Sequence, residues 1–265
     1  MKFKVACIQT SSGENPDKNI SNLEKLFKRA FNKKPDLICL PECVSLLTDS
    51  NKILIKYNRR DCNKFIKYIS FKAVKYSCYI LIGSVAYKKK NNKFYNRSIM
   101  IGPSGKMLAH YDKINLFDVS LSKQEKYFES EIYDPGNKMS YFKLPWGKIG
   151  FTICYDLRFP ILFKKLLKKG VLFFSIPAAF TVTTGKDHWE SLLRARAIEN
   201  GCYIFAPAQC GNNTLRRKTY GHSMIIDPWG KIIARAKNIP TVIFADIHTS
   251  LIKKVRSKLP SILSF

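Results

Sequence analysis

The chain lacks several features that would mark it as a metal-binding, membrane-spanning or secreted protein. Its 265 residues include eight cysteines but no Cys-x-x-Cys pair, and its four histidines are scattered, so no zinc site is predicted. No apolar run approaches the roughly 18 residues that a membrane span needs. A strand-like run begins at Phe3, which leaves no room for a signal peptide. We therefore expect reduced cysteines, a cytoplasmic location and no metal or other cofactor.

Acidic residues are also scarce, because 19 Asp and Glu stand against 46 Lys and Arg, for a formal net charge of +27. Such a charge is typical of proteins that bind nucleic acids or anionic membranes. The basic residues are nevertheless spread along the whole chain without a basic tail, and the run from Lys88 to Asn92 has the composition of a hairpin tip. This distribution favours a solvated, lysine-rich surface, and neither a nucleic acid nor a membrane is predicted as a partner.

Linkers and low-complexity segments are missing as well, so residues 1–265 are predicted to form a single domain. A capping box at Asp187 is expected to open a helix through Ala197, and Pro160 suits the start of another that ends before Gly170. Upstream of these, strand-like and helical patterns alternate along the chain, at 3–9, 19–32, 37–40, 62–76 and 79–87. This alternation predicts an α/β fold.

A faint internal repeat relates residues 98–109 to residues 223–234. Each copy contains an apolar run, a turn with proline and glycine, and a second apolar run, which is the pattern of a β-hairpin. The likeness has two interpretations. One is independent use of the same turn chemistry, and the other is two similar halves related by pseudo-symmetry in a two-sheet domain. We favour the second.

The stretch from Lys148 to Pro160 reads KIGFTICYDLRFP, an apolar strand that stops at Cys154 and is followed by a turn and a helix start. A strand–turn–helix arrangement of this kind exposes a side chain at the edge of a sheet. A thiol held there is a candidate nucleophile. The alternative is that Cys154 is a small apolar residue of the core.

A nucleophilic thiol needs a base and a group that stabilises the oxyanion. None of the four histidines lies in an evident catalytic context. Glu42 follows the buried run Leu37–Pro41, where desolvation is expected to raise its pKa toward the range of a general base. Lys113 follows another strand-like run. Taken singly, each of these two residues is better explained as a surface charge at a strand end.

Three separate motifs agree when they are considered together. Leu-Pro-Glu contains Glu42, Tyr-Asp-Lys-Ile-Asn-Leu-Phe-Asp contains Lys113, and Cys-Tyr-Asp-Leu-Arg-Phe-Pro contains Cys154. In order and spacing they resemble the Glu-Lys-Cys triad of the nitrilase superfamily of carbon–nitrogen hydrolases, over almost the whole chain. The resemblance implies a four-layer αββα sandwich of the nitrilase type. It also implies subunits that pair as a homodimer or a larger homo-oligomer.

The resemblance further implies a second site glutamate, at Glu129, and a mechanism. Lys113 would favour the thiolate of Cys154, and Glu42 would accept the thiol proton. Lys113 and the backbone N–H of Tyr155 would hold the oxyanion. A thioester at Cys154 would follow, and water activated by Glu42 would release the acid. Glu129 would orient Lys113 or the attacking water.

A longer block, from Pro177 to Gly230, resembles the deaminated glutathione amidase branch of the superfamily more than the omega-amidase branch, because it includes Ala-Gln-Cys-Gly. Both branches imply a small α-keto acid amide as substrate. A carboxylate calls for a bidentate cation, and Arg158, with Thr184 and the backbone near Phe180, is the candidate. The alternative for Arg158 is a salt bridge at the helix start.

Other activities stay open at this point. Within the superfamily, the alternatives are an omega-amidase and an N-carbamoyl amide hydrolase. An alternative of another class is an inactive basic scaffold or a nucleic-acid-binding protein on the same fold. The presence of Glu42, Lys113, Glu129 and Cys154 argues against inactivity, since any one substitution would disable the site.

Overall fold

The structure is a computed structural model that describes residues 1–89 and 93–264. The tip of the hairpin expected at Lys88 to Asn92 lies outside the described residues from position 90 onward. The helices are α1 (Pro16–Phe31), α2 (Asn51–Arg60), α3 (Cys62–Tyr76), α4 (Pro160–Lys168), α5 (Val182–Asn200) and α6 (Thr249–Lys258). No helix in the described part of the chain combines the length and the apolar character that crossing a membrane requires.

The strands form two large sheets and two short pairs. The first sheet contains β1 (Lys2–Gln9), β2 (Leu37–Cys39), β3 (Tyr79–Lys88), β4 (Phe94–Ile101), β5 (Met107–Asp112) and β16 (Thr241–His248). The second contains β8 (Tyr141–Leu144), β9 (Gly147–Phe151), β10 (Val171–Ser175), β11 (Tyr203–Ala206), β14 (Met224–Ile226) and β15 (Ile232–Arg235). The short pairs are β6 (Asp118–Ser120) with β7 (Lys126–Phe128), and β12 (Cys210–Asn212) with β13 (Lys218–Tyr220).

The two sheets share one topology. Their strand orders are β16-β1-β2-β3-β4-β5 and β8-β9-β10-β11-β14-β15. In each, three parallel strands lie between an antiparallel strand on one side and an antiparallel hairpin on the other. The repeated segments 98–109 and 223–234 fall in these two hairpins, β4–β5 and β14–β15. The shared position favours pseudo-symmetric halves over independent turn chemistry.

The layers follow from the side-chain alternation of buried strands. In β1, Ala6 and Ile8 pack in a cluster with α1 and α3, whereas Val5 and Cys7 face the second sheet. Between the sheets, the rings of Phe3 and Phe173 meet edge to face at 5.3 Å. The far side of the second sheet is covered by α4 and α5, where further aromatic side chains are buried. The four-layer αββα sandwich predicted from the sequence is confirmed.

Several helix boundaries differ from the prediction because of capping. The prediction that Asp187 opens a helix is wrong, since α5 begins at Val182, where the hydroxyl of Thr181 accepts a hydrogen bond from the N–H of Thr184 at 3.3 Å. Asp187 lies inside the helix. Helix α1 likewise begins three residues early, at Pro16, behind an Asn15 cap, and α2 was not predicted. Helix α4 has the predicted start, and Gly170 at φ +80° follows its end.

Candidate active site

The four residues predicted to be catalytic line the same cavity, which has a volume of about 350 Å³. Glu42 follows β2, Lys113 follows β5 and Cys154 follows β9, so the side chains come from both sheets. Glu129 is contributed by a short 3-10 turn after β7. The structure therefore brings together residues that are far apart in the chain.

Cys154 occupies a sharp turn at the end of β9. Its φ of +50° lies in the left-handed region, which is uncommon for a residue other than glycine, and its N–H donates to the carbonyl of Pro177 at 2.9 Å. A 3-10 turn over Cys154–Arg158 and then α4 follow directly. The strand–turn–helix geometry expected from the sequence is present, and the backbone strain at this position is typical of functional sites.

Asp156 holds this turn in place, a role that was not predicted. One carboxylate oxygen accepts from the N–H of Ile153 and from the hydroxyl of Tyr111, both at 2.8 Å. The other accepts from the backbone and side-chain N–H groups of Asn115 at 3.1 and 2.7 Å. Burial raises the pKa of Asp156, although these hydrogen bonds and the charge of Lys113 act in the opposite direction. The aspartate of the Cys-Tyr-Asp motif thus fixes the turn that carries Cys154, and its four hydrogen bonds with Ile153, Tyr111 and Asn115 form a clamp.

Lys113 joins the two glutamates. Its Nζ lies 3.2 Å from Oε1 of Glu42 and 2.7 Å from Oε2 of Glu129, and its side chain is only 1% exposed. Glu129 also accepts a hydrogen bond from the N–H of Phe117 at 2.7 Å. The second carboxylate oxygen of Glu42 accepts from the N–H of Ala179 at 2.8 Å, across the gap between the sheets. The ammonium offsets one of the two carboxylate charges, and the remaining charge is stabilised by hydrogen bonds from N–H groups of the protein.

Asn96 in β4 completes the network and was missed by the sequence analysis. Its side-chain amide donates to Oε1 of Glu42 and to Oε1 of Glu129, both at 2.9 Å. An amide nitrogen carries two N–H donors, so both bonds can form at once. No clear signal was available, because Asn96 is followed by Arg97 and Ser98 in the same strand, and only its burial shows that its amide needs hydrogen-bond partners.

The expectation that burial would raise the pKa of Glu42 is wrong. Desolvation does act in that direction and is the largest single contribution, but the charges of Lys113 and Arg217 outweigh it. Hydrogen bonds from Cys154 and Asn96 add to them, so the pKa of this carboxyl lies below its ordinary value. Glu42 is therefore anionic at neutral pH.

The thiol shows the opposite shift. Burial raises the pKa of Cys154 well above its ordinary value, and the negative charge of Glu42 adds to the effect, whereas Lys113 only partly offsets it. The pKa of Lys113 is raised, because the two glutamates and Cys154 more than compensate for its burial. Lys113 thus acts in the predicted direction, toward the thiolate, but burial and Glu42 outweigh it in the pKa of Cys154.

The predicted substrate-binding residues, Arg158, Phe180 and Thr184, are not among the residues that line this cavity. Arg158 donates to Nδ1 of His188 at 3.1 Å, and its guanidinium lies 5.7 and 5.6 Å from the rings of Tyr155 and Phe180. Thr184 is buried in the first turn of α5. Within the described ranges Arg158 forms no ion pair, so the alternative of a salt bridge at the helix start finds no support.

A second cation, Arg217, lines the cavity and was also missed. No signal in a chain with 46 Lys and Arg singles it out.

The described residues offer no set of metal ligands. Within 1–89 and 93–264, no group of three or more His, Cys, Asp or Glu side chains could hold a metal ion. The carboxylates that do meet in the cavity, Glu42 and Glu129, share one cation, Lys113.

Comparison with known proteins places this geometry in a family. The carbon–nitrogen hydrolase family matches residues 4–257. A deaminated glutathione amidase of Synechocystis sp. is 38% identical over 264 residues, which cover 98% of this chain and 97% of that protein. An omega-amidase of Xenopus tropicalis is 33% identical, with 98% of this chain and 93% of that protein covered.

The crystal structure of the Caenorhabditis elegans NitFhit protein agrees with the fold, with a TM-score of 0.93 and 33% identity. The match covers 98% of this chain and 64% of that one, so the chain spans less than two thirds of the fusion protein. Together, the family match, the amidase relatives and the shared sandwich show that the chain belongs to the carbon–nitrogen hydrolase family and is an amide-hydrolysing enzyme.

Proposed function

We propose that the enzyme is a thiol-dependent amidase that cleaves the amide bond of a small α-keto acid amide, deaminated glutathione, through a thioester at Cys154. The observation that carries the proposal is that Cys154 lines one cavity with Glu42, Lys113 and Glu129, where the ammonium of Lys113 lies 3.2 and 2.7 Å from the two carboxylates. A carboxylate base in the same cavity as the nucleophile can remove its proton as attack proceeds, and the lowered pKa of Glu42 and the raised pKa of Cys154 agree with that role.

The first half-reaction forms the acyl-enzyme. The sulfur of Cys154 attacks the amide carbon while its proton moves to Glu42. The carbonyl oxygen becomes an oxyanion, which the ammonium of Lys113 and the N–H of Tyr155 stabilise. When the tetrahedral intermediate collapses, the C–N bond breaks, and Glu42 returns its proton to the departing amine. The thioester and the carboxylate of Glu42 are left.

The second half-reaction releases the acid. Glu42 accepts a proton from a water molecule, and the resulting hydroxide attacks the thioester carbon. Collapse of this second intermediate breaks the C–S bond, and the proton on Glu42 returns to the sulfur of Cys154. Glu129 acts by positioning, because its bonds to Lys113 and to the N–H of Phe117 fix the ammonium beside the reacting carbon.

The choice of substrate is supported by the relatives. The Synechocystis protein carries the name deaminated glutathione amidase, and so does a Yersinia enterocolitica protein that is 36% identical. We propose that Arg158, with Phe180 and Thr184, binds the keto-acid end. The omega-amidase relative supports α-ketoglutaramate as a second candidate, and an N-carbamoyl amino acid is a third. A homodimer or larger homo-oligomer and a cytoplasmic location stay predictions.

Turnover of these three compounds by the purified enzyme tests the proposal. We expect kcat/KM for deaminated glutathione to exceed that for α-ketoglutaramate by about tenfold or more, which corresponds to roughly 1.4 kcal/mol of transition-state binding. The N-carbamoyl amino acid is expected to be the poorest. A preference for α-ketoglutaramate would overturn the substrate assignment and favour an omega-amidase.

Two cysteine variants serve as controls for the chemistry. Cys154→Ala should abolish turnover, and wild-type enzyme quenched during turnover should carry the acyl group on the peptide that contains Cys154. Cys78→Ala, which removes a buried thiol outside the cavity lining, should keep most of the activity. Near-normal turnover by Cys154→Ala would contradict the mechanism. Absence of any turnover, together with salt-dependent DNA binding, would favour the basic scaffold.

A further inference from the structure

Part of the cavity lining is basic, although the acids Asp49 and Glu131 line the cavity as well. Arg217, Arg216 and Lys126 line it together with the aromatic ring of Tyr127. Arg216 and Lys126 are exposed, whereas the side chain of Arg217 is only 18% exposed. Lys113 offsets only one of the two negative charges of Glu42 and Glu129. Within the described residues, however, Arg216 and Lys126 form no ion pair and Arg217 meets Asp49 only at 3.7 Å, so these cations can attract an anionic ligand.

Arg217 has few hydrogen-bond partners for a largely buried cation. In the part of the chain that the structure describes, its guanidinium donates no hydrogen bond, and its Nε is buried without a partner. The nearest acid is Asp49, whose Oδ1 lies 3.7 Å from Nη1, too far for a hydrogen bond. The other oxygen of Asp49 accepts from the hydroxyl of Thr214 at 2.9 Å. Nε itself is enclosed by the protein, so a ligand in the cavity can reach only the exposed part of the guanidinium, whose N–H groups have no hydrogen-bond partner among the described residues.

The guanidinium is also charged, and the backbone that carries it is fixed by hydrogen bonds. Burial lowers the pKa of Arg217, but the negative charges around it, those of Asp49 and Glu42 among them, reverse that effect and keep it protonated. Its Cζ lies 5.2 Å from the centre of the Tyr127 ring. Its backbone N–H donates to Thr214 at 3.0 Å, and its carbonyl accepts from the N–H of Asn213 at 3.0 Å. The planar guanidinium group, with its parallel N–H donors, suits bidentate binding of a carboxylate.

We propose that Arg217, assisted by Arg216 and Lys126, binds a carboxylate on the amine side of the scissile amide. This inference rests on the proposed function. The candidate for the keto-acid end, Arg158, lies outside the lining of the cavity, whereas Arg217 shares the cavity with Cys154. Deaminated glutathione has a carboxylate at each end, and its leaving group ends in glycine. α-Ketoglutaramate releases ammonia and has no carboxylate on that side, so Arg217 distinguishes the two substrates.

A pair of matched substrates tests the inference. One is deaminated glutathione, and the other is its analogue with a carboxamide in place of the glycine carboxylate. We expect wild-type kcat/KM to be about 10- to 100-fold higher for the acid, the range of a hydrogen-bonded charge pair. Arg217→Gln should reduce that ratio to near one, and Arg217→Lys should retain part of it. Arg235→Gln, which removes the same charge from an exposed pair with Glu190, should leave the ratio unchanged.

The ratio of kcat/KM for the acid to kcat/KM for the carboxamide separates carboxylate binding by Arg217 from an effect on Glu42. The distinction is needed because Arg217 also lowers the pKa of Glu42. An equal loss on both substrates would mean that Arg217 acts only through Glu42 and would overturn the inference, as would an unchanged ratio. Circular dichroism of Arg217→Gln checks that the fold is intact. Wild-type turnover of either substrate upholds the amidase independently of Arg217. If neither is hydrolysed, the proposed function and this inference fail together.

Discussion

At the scale of single residues, the reactivity of the site depends on which group carries charge at rest. Glu42 is ionised because Lys113 is beside it, and Cys154 is protonated because it is buried next to Glu42. In the proposed mechanism the nucleophile is therefore formed during attack and not before it. Such a mechanism needs no histidine, because the carboxylate of Glu42 would take the thiol proton.

This charge state predicts the pH dependence of the reaction. Glu42 must be unprotonated to act as a base, and its pKa lies below the ordinary value of 4.5. Activity should therefore be constant through neutral pH and fall only as the pH drops below about 4.5, as Glu42 takes up a proton. The pKa of Cys154 is raised, so no change from its ionisation is expected at neutral pH. A profile of kcat/KM against pH, with circular dichroism to check the fold at each pH, measures this. An acid limb with its midpoint between 6 and 7 would contradict it.

The sequence was sufficient to locate Glu42, Lys113 and Cys154 but not to predict their charge states. Each residue follows a strand-like run within a specific motif, so its position at a sheet edge could be inferred. Burial of Glu42 could be inferred as well. The direction of its pKa depends on Lys113 and Arg217, which are distant in sequence, and on distances that only the packed sheets define.

At the scale of elements, the turn after β9 is the feature that the site depends on most. It holds Cys154 at a positive φ, and the carboxylate of Asp156 compensates for that strain with four hydrogen bonds. Two of them come from the segment after β5, which also carries Lys113. The clamp therefore fixes the nucleophile and the ammonium relative to each other.

Weakening the clamp should reduce activity as well as stability. Tyr111→Phe removes one hydrogen bond to Asp156 and the acceptor for the N–H of Ile114, at a cost of about 1–3 kcal/mol in the free energy of unfolding. We expect kcat to fall by about tenfold, because small misplacements of a nucleophile are costly. Tyr68→Phe, which removes a hydroxyl that bonds to Glu24 on the outer helices, is the matched control. Urea unfolding and steady-state kinetics measure both effects, and unchanged kcat in Tyr111→Phe would argue against the clamp.

The sequence predicted strands and hairpins better than helix starts. The repeat at 98–109 and 223–234 correctly indicated two hairpins, since turn chemistry is local. The start of α5 was placed at Asp187 because a capping box was present there, yet Thr181 caps the helix earlier. Two competing caps cannot be ranked without the tertiary contacts of the first turn. Arg217 could not be found for a similar reason, because only the β12–β13 pairing brings its segment to the cavity.

At the scale of the whole molecule, the site lies between the two pseudo-symmetric halves. Glu42, Lys113 and Glu129 belong to the first, and Cys154 and Ala179 belong to the second. The hydrogen bond from Ala179 to Glu42 at 2.8 Å crosses from one to the other. Gln209 adds a further tie, since its amide donates to the carbonyl of Glu42 at 2.9 Å. We propose on this basis that residues 1–265 form a single domain.

A single domain predicts one cooperative unfolding transition. The hydrophobic core is continuous from the first sheet to α4, α5 and α6, so neither half can lose its packing alone. Thermal unfolding followed by far-ultraviolet circular dichroism and by tryptophan fluorescence should give coincident curves. Cys154→Ala provides a catalytically inactive reference that should unfold in the same single step. Two separated transitions, or a proteolytic half that stays folded, would contradict the prediction.

The bond between Ala179 and Glu42 has a consequence for the protein during its synthesis. The base emerges from the ribosome more than a hundred residues before the nucleophile and its partner amide. Until residue 179 has been made and the second sheet has packed, Glu42 and Cys154 are an ordinary carboxylate and an ordinary thiol. On the proposed mechanism we therefore expect the nascent chain to be inert toward amides until the sandwich is complete.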